Sequence, residues 1–124
     1  MGLIVLDAGV VIAALDSDDV HHGPAVSALH DALKPADRLV VPVSAYAESL
    51  VGPSRRGSDA VATLDAFLDA LPATVEPATR EIARHAAALR AAHGRVLRLP
   101  DALVLATATA RRAWRSWRRR TSAA

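Results

Sequence analysis

Cysteine is absent from this 124-residue chain, which excludes disulfides, thiolate nucleophiles and cysteine-held zinc or iron–sulfur centres. Aromatic residues are scarce: one Phe, one Tyr and two Trp. With 52% of residues hydrophobic, the core must be built mostly from Ala, Val and Leu. No apolar run reaches the roughly 20 residues of a membrane span, and MGLIVLD lacks the basic start of a signal peptide. A cytoplasmic protein without a membrane partner is therefore expected. There is no GxSxG, no Gly-rich phosphate loop and no dinucleotide fingerprint, and Ser44, Ser49 and Ser54 lack a convincing His partner. His21 and His22 are adjacent rather than on one helical face, and His85 and His93 have no acid in register. Metal binding through histidine is not expected.

What is present begins with an asymmetry of charge. The net charge is +2, yet six of the fifteen basic residues lie between Arg111 and Arg120, and residues 111–124 contain no acid. Residues 1–110 carry nine basic against thirteen acidic residues, a net of −4. This is a mildly acidic body with a basic tail, so the high pI says little about how the body meets nucleic acid. The length fits one domain.

Along the chain, apolar runs at Gly2–Leu6 and Leu39–Val43 read as strands, and ATVEP as a short extended piece. Between them lie helical patterns: VVIAAL, then His22 to Leu33 stopped by Pro35, then Ala45 to Val51 with Ser44 as N-cap. GPSRRGSD reads as a loop by composition, followed by a helix from Asp59 to Leu71. Pro77 fits the first turn of a long helix whose stripe is Ile82, Ala86 and Leu89, and Gly94 stops it. Pro100 and Asp101 open a last helix toward Ala113. Strands alternating with helices predict an α/β fold with a short, mainly parallel sheet.

Three carboxylates occupy places where such a domain puts its chemistry. Asp7 ends the first strand, Glu48 lies in the helix after the second, and Asp101 starts the last helix. Carboxylates converging in one crevice repel one another unless a cation or protons intervene. Hard oxygen donors without cysteine favour magnesium, with manganese as substitute, and such an ion activates water against a phosphodiester. Each residue also has a plainer role. Asp7 would cap a helix, Asp101 would oppose a helix dipole, and Glu48 would face solvent. Arg55 and Arg56, in the loop beyond Glu48, would contact an RNA backbone or simply be solvated.

Taken together, VLDAGVVIAAL, VPVSAYAE and GRVLRLPDALVLATA strongly resemble the PIN domain, and more narrowly the VapC toxins of bacterial toxin–antitoxin pairs. The resemblance covers about residues 3–113, and LPDALVLATA is its most specific part. It implies a magnesium-dependent endoribonuclease that is silenced when an antitoxin occupies its site, and a homodimer. By resemblance, Asp7 and Asp101 are the principal metal-binding residues, Glu48 is the third acid, and Ser44 is a supporting polar group.

The tail departs from this pattern. The family continues past the DALVLATA helix into a strand and a fourth aspartate, where this chain has Arg119, Arg120 and Thr121. The final strand is therefore expected to be missing or altered, with a PIN-like domain over 1–113 and a divergent Arg/Trp-rich tail over 114–124. A frameshift accounts for the tail: one permitted codon set for AWRSWRRRTSAA reads, in a shifted frame, VAELATADERR, an apolar segment followed by an aspartate. Two other readings of the tail stand beside it: a functional tail in which Arg111, Arg115 and Arg118 grip phosphates while Trp114 stacks on bases, and a disordered end with no role. For the whole chain, the alternative function is a catalytically impaired remnant that binds antitoxin or RNA without cutting.

Overall fold

The computed structural model describes residues 3–33 and 38–122, with side chains at 3–31 and 38–110. Strand β1 (Leu3–Val5) lies beside β2 (Arg38–Pro42), which lies beside β3 (Ala73–Glu76), and both pairings are parallel. Parallel neighbours require crossovers, and helices supply them. Helices α1 (Ala8–Leu15) and α2 (His22–Leu33) separate β1 from β2. Helices α3 (Val43–Arg56) and α4 (Ser58–Ala70) separate β2 from β3. After β3 come α5 (Arg80–His93), a 3-10 turn at Gly94–Val96, and α6 (Leu99–Ser122).

The expected α/β fold is thus a small three-stranded parallel sheet carrying six α-helices. Its central strand is covered on both faces: Leu39, Val40 and Val41 are buried without the alternation of a half-exposed strand. No fourth strand follows α6 among the described residues, and α6 is continuous across residue 113. The stop expected at Pro35 lies outside the described residues. So do the side chains of Arg111, Trp114, Arg115 and Arg118, on which a phosphate-gripping tail would depend.

Three local expectations are corrected. GPSRR is helical rather than a loop, because α3 runs through Pro53 to Arg56. Pro53 costs the helix one amide, but it lies within a turn of the end and its ring is buried. The true break is Gly57 at φ 125°, a backbone state that favours glycine, and this single residue separates α3 from α4. Ser44 is not the cap of α3, which starts one residue earlier, directly off Pro42 at the end of β2. Pro77 lies before α5 rather than in its first turn: the cap is Thr79, whose hydroxyl accepts from the Ile82 amide at 3.1 Å. Gly94 does end that helix, with φ 59°.

Two apolar clusters hold the fold. The larger joins α1, α2, α3 and α4 to the sheet through Val11, Leu29, Leu39, Val41, Ala45 and Leu64. The smaller joins α5 to α6 through Ile82, Ala86, Ala102 and Ala106. Among the described residues, the two buried hydroxyls are satisfied within their own helices: Ser49 donates to the Ala45 carbonyl and Thr107 to the Leu103 carbonyl, each at 2.8 Å.

Helices α3 and α4 are also tied by Tyr46, whose hydroxyl donates to Asp65 Oδ1 at 2.6 Å. That bond, then burial and the negative charges of Asp65 and Asp69, raise the phenol pKa above its ordinary 10.0. The raised value favours the folded protein below the unfolded pKa, and the benefit is lost as pH rises through the folded one. Tyr46 is the only tyrosine, so an ultraviolet titration reads it alone. We expect a midpoint above 10.0 that falls toward 10.0 in Asp65→Ala. An unchanged midpoint in that variant would refute the bond.

Candidate functional site

Asp7 follows β1 and stands at the start of α1. Leu6 continues the strand pairing, its amide bonding the Val40 carbonyl at 2.8 Å, so Asp7 is the first residue free of the sheet. Asp7 Oδ1 accepts from the Val10 amide at 2.9 Å, which caps α1. The capping role is therefore real, and it uses one oxygen of an exposed carboxylate. Beside it, a Cβ on Gly9 would approach Oδ1 to 3.4 Å, so glycine keeps that flank open.

Glu48 is exposed on α3, next to the stripe Ala45, Ser49 and Pro53 that the helix buries. Asp101 is exposed in the first turn of α6, immediately before Ala102, which is wholly buried. The elements carrying the three acids are mutual neighbours: α1 packs on α3, α3 on α6, and α6 on β1. The side chains are not gathered as closely. Among the described residues, no three His, Asp or Glu converge in a way that could hold a metal ion. Exposed carboxylates repel one another and gain nothing from convergence without a cation between them.

The donor chemistry nonetheless fits a hard divalent ion. Magnesium keeps several waters and is bound through one or two carboxylates plus substrate phosphates, rather than in an all-protein cage. Exposed carboxylates such as Asp7 and Asp101, on adjoining elements, suit that mode. Ser44, expected as a supporting group, is half-buried in the first turn of α3, and its hydroxyl makes no hydrogen bond among the described residues. Arg55 and Arg56 are exposed at the end of α3.

As a metal ligand His21 has no partner in the sequence, but the structure gives it a different neighbour. His21 and Asp7 line the same cleft, between α1 and α2. Nothing in the spacing of the two residues signals this. It follows from the turn of Asp16, Ser17, Asp18 and Asp19, which returns α2 alongside α1.

No described helix is long and apolar enough to cross a membrane. No curated protein matches the sequence significantly. Among solved structures the chain is similar to VapC20 of Mycobacterium tuberculosis, described as a sarcin–ricin loop cleaving toxin. The TM-score is 0.71 at 21% identity, covering 89% of this chain and 83% of that one. At that identity the likeness speaks for the fold. The family is shown by the sequence itself: the PIN domain model matches residues 4–113. That span takes in Asp7, Glu48 and Asp101, and the chain belongs to the PIN domain family.

Proposed function

We propose that this PIN domain is a divalent-metal-dependent endoribonuclease acting as the toxin of a toxin–antitoxin pair. One observation carries the reading: Asp7 and Asp101, far apart in sequence, stand exposed on elements that pack together within a PIN fold. The fold likeness to a toxin that cleaves the sarcin–ricin loop supports RNA as the substrate class. Asp7 and Asp101 would hold magnesium, or manganese in its place, with Glu48 as the third acid. The bound cation supplies Lewis acidity to the scissile phosphate and makes water a competent nucleophile at neutral pH.

The chain's own residues do the rest. The cap bond to Val10 fixes the rotamer of Asp7, so one carboxylate oxygen is presented without further ordering. Glu48 is exposed, so an incoming water can reach it as general base. No covalent protein intermediate is required. A protein antitoxin would silence the toxin by occupying the acidic site, and the active form is a homodimer in the cytoplasm.

The test is cleavage of single-stranded RNA by the purified full chain. Cutting should require millimolar magnesium or manganese, stop with EDTA, and be lost in Asp101→Asn. Metal-independent cleavage, or an Asp101→Asn protein that cuts like the parent, would sink the reading. A chain that binds RNA but never cuts it would instead be the impaired remnant. The described part of α6 favours that second reading in one respect: it supplies no acid after Asp101.

A further inference from the structure

The cleft between α1 and α2 shares Asp7 with the carboxylate chemistry above, but its other lining residues take no part in that chemistry. Its volume is about 410 Å³, within the usual range for small-molecule sites. Asp7 stands on one side and His21 on another, while Gly9, Ala13, Ala25 and Ala28 supply small apolar surface between them. These short side chains leave room for a flat group to enter between the two helices. Among the described residues, no lysine or arginine lines the cleft, so these residues offer nothing to draw in a phosphate.

The two adjacent histidines differ in what holds them. His22 Nδ1 is 2.8 Å from the Ala13 carbonyl, so that ring serves to fasten α2 to α1. The His21 backbone is fixed just as firmly, its amide donating to Asp19 Oδ1 at 2.8 Å and its carbonyl accepting from Ala25 at 2.9 Å. Its imidazole, however, has no hydrogen-bond or ionic partner among the described residues. A rigidly anchored, exposed and unengaged aromatic ring at the rim of a cleft whose lining is otherwise mostly small and apolar, with Asp7 opposite, suits recognition of an unstacked base. Single-stranded RNA is read in this way, by stacking on aromatic or histidine rings and by hydrogen bonds to base edges.

We propose that this cleft is a nucleobase subsite, holding the base next to the scissile phosphate, with His21 as its specificity-determining contact. The inference rests on the ribonuclease reading and adds where part of the RNA sequence preference arises.

The experiment titrates the isotopically labelled full chain, free of metal, with single-stranded hexamers of each of the four ribonucleotides, following backbone amides. Shifts are expected at Gly9, Ala13 and Ala28, with one or two hexamers preferred. His21→Ala should weaken the preferred hexamer about tenfold, the effect of removing one stacking contact. His21→Phe should recover most of the affinity but lose the preference. Ala28→Leu, which fills the cleft, should weaken binding similarly, and melting curves of each variant report whether it is folded. The proposal is overturned if no hexamer binds, if binding leaves the cleft amides unmoved, or if folded His21→Ala and Ala28→Leu proteins bind like the parent. Selective shifts from an apolar peptide of the same length, with none from RNA, would assign the cleft to a protein partner and overturn it too. Cleavage with a silent cleft refutes the subsite alone, whereas a responsive cleft in a chain that never cuts refutes the nuclease reading alone.

Discussion

Asp7→Asn is expected to reduce RNA cleavage by a factor of about a hundred to a thousand while leaving thermal stability almost unchanged. The two effects separate because Asp7 serves two purposes. As a cap it accepts the Val10 amide, and asparagine accepts that bond about as well, so the expected change is within about 0.5 kcal/mol. As a candidate ligand it contributes negative charge, which asparagine lacks, and stabilisation worth several kcal/mol in the transition state is lost. Asp7→Ala should lose both, adding a destabilisation of about 1 kcal/mol. Cleavage rates at saturating manganese and melting curves of the three proteins decide the matter. If Asp7→Asn cuts like the parent, Asp7 has no part in the chemistry. If it melts like Asp7→Ala, the cap has been misassigned.

The largest effect on stability is expected from Leu64→Ala. Leu64 is only 1% exposed and sits where α4 meets the cluster shared with α1 and α3. Truncating a buried leucine costs about 2–5 kcal/mol, through lost transfer energy and the cavity left behind. Here the new space would adjoin an existing cleft of about 290 Å³ lined by Ile12, Ser49, Pro53 and Arg56. Water reaching the enlarged cleft limits the penalty, so a value near 3 kcal/mol is expected, or roughly 10 °C in Tm for a domain of this size. A drop of under about 3 °C would mean that α4 is not packed on the core as described.

Much of this arrangement was legible because it rests on period and composition. Leu39 to Val41 form an unbroken, mostly β-branched apolar run that suits a strand covered on both faces, and that is their position. The Ile82, Ala86 and Leu89 stripe lies where helical spacing puts it, against α6. The failures have a common physical cause. GPSRR looks like a loop because Gly, Pro and Ser usually break helices, but burial of Pro53 outweighs a local preference. Which glycine ends a helix depends on φ, and composition does not distinguish Gly52 from Gly57. The candidate site was legible only as three acids at plausible stations, because the ends of strands and the starts of helices are written locally. The neighbour that His21 acquires was not, since it depends on how a turn of four residues brings two helices together.

The seam between α5 and α6 has a consequence for the acid that borders it. Three of its four buried residues among those described are alanine, and Ala86, Ala102 and Ala106 have no exposed surface at all. Methyl groups set the spacing of these helices, so the seam has no slack to absorb a larger side chain. Valine or leucine at position 102 could be housed only by prising α6 outward, and Asp101, its neighbour along the chain, would travel with it. The position of the candidate ligand Asp101 relative to β1 is thus gauged by the smallness of its neighbours in the seam.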